Sequence, residues 1–485
     1  VLATLLLPTG IEAQGYRVRF EARAQSVTYR GLARDSIPAD HATPAAGRGL
    51  VSPDGFAVTC SSPLWCYYFR PGPRLHAVPM VATATTVLWG LGVEGLTIHT
   101  TARVVAQAGN AEAWPTTSPA AQIVEGYVEL TRSWFTGQLG RLLLVSRLEP
   151  VGFDGAWARA RWDRPALELS GYAGWGLAQA AVVPVSSPLL NPLNEWRPTR
   201  RQLVTGAELA WSPGPVDARA EYRREVDPEL NYFVSERTAL SATARPIPSL
   251  LAAGGLDYNI AEGVVGTADV TLSWLHPRIT ATAGARRYRP FFNLWTLWGA
   301  FSPVPYHAAH AGIEARPAPW LALRIRGERY RYDAAEASTA LVRVENSGWR
   351  TNLGGTATMA RRWTATLDYL LEYGPGAASR FLDAGVTYQP TGRLRASLYG
   401  GRVFRPLEFR FYDATATWIG GRTEWRFHPQ MGAWVDAAWY RDRRDRPDPA
   451  ATAWNQVRLS AGIRWTFGTD ADRLNDLPPA RRATP

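Results

Sequence analysis

The chain has 485 residues and a net charge of +11, and every one of its basic side chains is arginine. Three average soluble domains would fit that length, but nothing reads as an interdomain linker, so one large repetitive architecture is expected. No apolar run reaches about 18 residues, which excludes helical membrane spans. Acids interleaved with the arginines exclude a nucleic-acid surface.

Residues 1–13 read as the end of a secretory signal, a short apolar region closing on small Ala13. The mature chain is then expected to begin near Gln14, outside the cytoplasm. A first strand is predicted at 16–29, and because it starts almost at the cleavage point, no plug domain is expected ahead of it. A Pro/Gly/Ser-rich excursion at 31–74 follows, then a second strand at 75–89. Cys60 and Cys66 lie in the excursion with five residues between them, and an oxidising compartment favours a local disulfide. A metal site would need more ligands nearby, and His76 has the wrong spacing for zinc.

From Leu96 onward the pattern has period two. Leu96, Ile98 and Ala102 take one face, with Thr97, His99, Thr101 and Arg103 on the other. Val124, Gly126, Val128 and Leu130 alternate in the same way with Glu125, Tyr127, Glu129 and Thr131. After a tight turn the chain runs back through Phe135 to Arg141. Beyond a loop, Ala156, Ala158 and Ala160 alternate with Trp157, Arg159 and Arg161.

Short turns, most with Pro or Gly, are predicted at 131–133, 163–165, 212–215, 245–248, 276–278, 316–319, 360–362, 389–392 and 428–430. Longer segments lie between them, notably 180–200, 290–305, 333–345 and 441–452. A soluble sandwich has no reason to confine its loops to one end, whereas outer-membrane barrels have short periplasmic turns and long external loops. Trp134, Trp162, Trp211, Trp274, Trp320, Trp363 and Phe427 sit beside the short turns, and Trp465 and Phe467 close the last strand. Amphipathic aromatics at one level are what a membrane interface selects.

The expected fold is therefore all-β: a transmembrane antiparallel barrel of about 22 strands, with 18 to 22 allowed by the weaker segments. It would occupy residues 14–468, and 469–485 would form a polar, disordered periplasmic tail. The last strand, ending in aromatics, resembles the signal read by the barrel-assembly machinery. The partners expected are that machinery, outer-membrane lipid and an anionic solute, with no cofactor.

The lumen-facing parity carries Arg103, Arg159, Arg161, Arg219, Arg223, Arg286, Arg324, Arg326, Arg395, Arg422, Arg426, Arg458 and Arg464. The same face carries Glu125, Glu129, Glu168, Asp217, Glu221, Asp269, Glu328, Glu424 and Asp436, while Val216, Ala218, Leu323, Ile325, Leu394 and Leu398 suit lipid. Many of these charges should pair across strands, and the surplus arginine would ease the entry of anions. No Ser, Cys or His arrangement and no phosphate-binding glycine loop points to an enzyme. Asp154, in GFDGA, reads as a polar anchor at a strand start rather than a catalytic acid.

EGYVELTRSWFTGQLGR followed by GFDGAWARARW resembles the repeated GR and FDGA pattern of the alginate-export porin family, matched by Gly140, Arg141, Phe153, Asp154, Gly155 and Ala156. That resemblance implies an outer-membrane barrel passing anionic or neutral solutes. A passive pore or exporter is expected, the alternative being a barrel with a role in adhesion, assembly or lipid modification. So wide a barrel needs narrowing. Segment 31–74, helped by 180–200 and 290–305, is expected to fold inward, with Arg103, Arg159 and Arg161 setting the anion preference.

Overall fold

The computed structural model describes residues 15–45, 49–60, 62–109, 120–177, 202–228, 232–289, 305–333, 346–360, 362–374, 377–404, 414–444 and 453–469. The expected signal segment, nearly all of the tail, and the long segments 180–200 and 290–304 lie outside these residues.

Period-two alternation gives each strand one apolar and one polar face, and such a sheet hides its edges only by closing on itself. Here 22 antiparallel strands close into a barrel, each pairing with its neighbours in sequence. Closure is made by Gly15–Pro38, which pairs with Trp454–Gly468 on one side and Trp65–Trp89 on the other. Phe20 faces Trp465 across that closing seam.

The nine short turns all fall at one end, as between Phe135–Leu144 and its predecessor Ala121–Thr131, or between Val151–Trp162 and Leu167–Gly176. Near that end Trp134, Trp162, Trp211, Trp274, Trp320, Trp363, Phe427 and Trp465 stand exposed on the outer face. Above them the outer face is aliphatic, with Leu209, Leu240, Val270, Leu272, Ile313, Ile325, Leu353, Leu398 and Ile463 all exposed. A closed barrel with an aromatic girdle below an apolar outer band is built for lipid. The chain is an outer-membrane β-barrel with its short turns on the periplasmic side.

The first two strands differ from the sequence expectation. They run unbroken at Gly15–Pro38 and Trp65–Trp89, and pair with each other from Gly15↔Trp89 to Pro38↔Trp65. Their pairing to the rest of the barrel stops earlier, at Ser26↔Leu459 and Ala77↔Gly109. Most of 31–74 is therefore a two-stranded ribbon that pairs with itself, not a coil folded into the pore. Pro38, Pro71 and Pro73 made it read as coil, yet a ribbon has two free edges on which a missing N–H costs nothing. At its tip Thr43–Ala45 pairs with Gly49–Val51, Phe56 stacks on Tyr68 at 5.5 Å, and Cys60 is joined to Cys66 as expected.

Candidate functional site: an inward loop and an arginine wall

Among the described residues, the segment that enters the lumen is a six-residue external loop, 145–150, between Phe135–Leu144 and Val151–Trp162. Leu148 at its apex is 2% exposed. Below it Leu142, Val151, Phe153 and Val204 form an apolar cluster on the inner wall, with Tyr127, Leu144, Trp157 and Tyr172 packed around them.

A short loop displaced from water must find partners for its backbone. The Glu221 carboxylate accepts from the backbone N–H groups of Arg147 (3.2 Å) and Leu148 (3.4 Å). Arg223, 2% exposed, donates to the carbonyls of Leu148 and Glu149, both at 2.7 Å, and through Nε to Tyr172 at 3.1 Å. Arg237 donates to the Leu148 carbonyl at 3.0 Å and lies 3.6 Å from the Glu149 carboxylate. Arg147 reaches Asp269 at 2.5 Å on Val264–Leu275, so the loop ties together an arc of seven strands beginning at Val151–Trp162. Burial pushes the Glu149 carboxyl above its ordinary range, opposed by Arg237 and Arg223. Glu149 also holds a φ of 76°, the left-handed region that favours glycine.

All thirteen arginines read from the sequence face the interior, because each alternates with an exposed apolar neighbour on its strand or lies in register with an interior partner. Seven are matched to carboxylates. Arg159 lies 3.4 Å from Glu168, Arg161 3.3 Å from Asp163, Arg219 3.3 Å from Asp217, and Arg286 2.8 Å from Glu328. Arg324 meets Asp368, Arg422 lies 2.8 Å from Glu424, and Arg464 is 3.9 Å from Glu21. Arg223 is spent on the loop. Arg103 stands across from Gln122, and among the described residues Arg326, Arg395, Arg426 and Arg458 have no ion pair with a carboxylate.

The distribution is lopsided. On the arc under the loop, Glu149, Glu168, Glu208, Asp217, Glu221, Glu225, Asp227, Asp257 and Asp269 outnumber Arg147, Arg159, Arg161, Arg219, Arg223 and Arg237. On the strands from Leu394–Phe404 round to Gly15–Pro38, Arg17, Arg19, Arg23, Arg395, Arg422, Arg426, Arg458 and Arg464 face only Glu21, Glu424, Asp436 and Asp442. In ring order the centres of these two arcs are about half a circumference apart. The sequence reading missed Arg17, Arg19, Arg23, Arg147, Arg237 and Arg350. All but Arg147 obey the same alternation, visible in Phe20 beside Arg19, Leu240 near Arg237 and Leu353 near Arg350.

The GR and FDGA residues belong to the wall. Arg141 and Asp154 are cross-strand partners joined through two bonds of 2.7 and 3.0 Å, and Arg141 also donates to the Ile123 carbonyl at 2.8 Å. They share the outer face with Leu139, so Asp154 anchors a strand start as expected, in partnership with arginine. Gly140 pairs with Gly155, and a Cβ on Gly140 would lie 2.8 Å from the Tyr127 Cα. Phe153 is fully buried in the apolar cluster.

No family model matches the chain, and no curated protein does. Among solved structures it is similar to the siderophore receptor PirA from Pseudomonas aeruginosa, at 12% identity over 93% of this chain and 80% of that one, with a TM-score of 0.39. It is also similar to a variant of the ferric enterobactin receptor PfeA from the same organism, in complex with enterobactin, at 11% identity over 94% and 82%, with a TM-score of 0.48. OccAB4 from Acinetobacter baumannii is similar at 9% identity over 95% and 100%, with a TM-score of 0.40. These are likenesses of fold.

Proposed function

We propose that the chain is a passive outer-membrane channel, not an enzyme, that favours anionic solutes, small or polymeric, as the resemblance to alginate-export porins implies. The observation that carries this reading is the arginine surplus on the wall facing the docked loop. A solute confined between them passes guanidinium groups that stay charged at any working pH and bind carboxylate or phosphate bidentately. Because Arg159 and Arg161 have carboxylate partners, the preference is assigned to Arg395, Arg426 and Arg458 instead, with loop 145–150 as the narrowing element.

Planar-bilayer recording under a salt gradient tests the proposal. Stepwise conductance with a reversal potential on the anion side is expected, and replacing Arg426 and Arg458 together by Ser should move that potential toward cations. A folded barrel without conductance steps would favour the adhesion, assembly or lipid-modifying alternative. An unmoved reversal potential would remove the arginine wall from the mechanism.

A further inference from the structure

On the outer surface, away from the lumen, the strands Ile279–Tyr288, Tyr306–Ala318 and Leu321–Tyr332 carry basic side chains at the external end. The register sets them in two rows. Arg287, His307 and Arg331 are cross-strand neighbours, and one row nearer the membrane centre Ala285, Ala309 and Arg329 are neighbours in turn. Arg329 is followed across the next two strands by exposed Trp349 and Tyr373. That is the level of an external aromatic girdle, where lipid headgroups begin.

Arginine on a lipid-facing surface costs about 2–4 kcal/mol at the bilayer midplane and about 0–1 at the interface, so this height is tolerated but needs a reason. Asp333 takes up Arg287 at 3.5 Å and His307 at 3.1 Å. Arg329 and Arg331 have no carboxylate partner among the described residues and are exposed. Below the arginines the surface is hollow. Ala268, Ala285 and Ala309 are too small to fill the outer face beside Leu256 and Val270, leaving a groove of about 890 Å³ whose rim is formed by Arg287, Arg329 and Arg331.

We propose that this groove holds one phosphorylated glycolipid of the outer leaflet. Its phosphate lies on Arg329 and Arg331, and an acyl chain lies along the alanine floor. Charge complementarity fixes the headgroup, since two guanidinium groups on adjacent residues of one strand face present a fork that phosphate fits and that zwitterionic headgroups satisfy poorly. The apolar floor directly below matches the chain attached to that headgroup. Free phosphate would use only the rim.

The test uses the full chain in dodecyl maltoside micelles, with bound ligand counted by native mass spectrometry. Three probes are compared: diphosphorylated lipid A, the same lipid dephosphorylated, and inorganic phosphate. One lipid A per chain is expected, with about tenfold or weaker retention of the dephosphorylated form, as the loss of charge-assisted bonds implies, and no retention of inorganic phosphate. Arg329→Gln with Arg331→Gln, and separately Ala285→Leu with Ala309→Leu, should each weaken lipid A by about tenfold or more. Both pairs face away from the lumen and should leave gel mobility and single-channel conductance unchanged, so failure of this site and failure of the channel reading are distinguishable. Equal retention of the dephosphorylated lipid, inorganic phosphate binding as tightly as lipid A, or undiminished binding by either variant would overturn the proposal.

Discussion

At the scale of single residues, the lumen is shaped by Arg223. Its guanidinium is almost wholly buried and donates to two carbonyls of loop 145–150. Arg223→Met keeps the bulk but leaves the Glu149 carbonyl and Tyr172 without that donor and the Leu148 carbonyl with Arg237 alone, and leaving a buried polar group unsatisfied costs about 1–3 kcal/mol. The loop should leave its dock, seen as higher single-channel conductance with an unchanged SDS-resistant gel band; unchanged conductance would show that the loop does not narrow the path. Glu149 adds a dependence on pH. Its folded-state pKa lies above the value it would have in a released loop, so the docked state binds more protons. Raising the pH through that raised pKa therefore weakens docking, and acidification strengthens it. Hydrogen-exchange protection of the Leu148 amide, compared with Glu149→Gln at each pH from about 5 to 8, should fall with pH in the parent alone.

At the scale of elements, the ribbon made by the ends of Gly15–Pro38 and Trp65–Trp89 is separable from the pore. Replacing 42–63 by a two-residue turn should leave both conductance and heat-modifiable gel mobility as they are. A rise in conductance would return the ribbon to the role of constriction. The wall strands were legible in the sequence because lipid outside and water inside impose period two over long stretches, as Leu394 and Leu398 against Arg395 show. What was not legible has two physical causes. Pro71 and Pro73 are breakers inside a sheet but harmless at a ribbon edge, so composition misplaced the ribbon. The docking of 145–150 depends on Glu221, Arg223, Arg237 and Asp269, each about 70 or more residues away in sequence, and no local pattern announces partners so distant.

At the scale of the whole molecule, closure without a free edge means that stability is shared around the ring, and the seam between Gly15–Pro38 and Trp454–Gly468 completes it. The lopsided lumen also has a consequence for neutral solutes that carry separated charges. Carboxylates predominate beneath the docked loop and guanidinium groups on the facing wall, so a transverse electric field crosses the water between them. Small ions feel it as displacement toward one side. A molecule carrying both a positive and a negative end feels a torque, and is turned broadside so that its dipole spans the channel. The proposed channel would thereby sort solutes by the separation of their charges as well as by size.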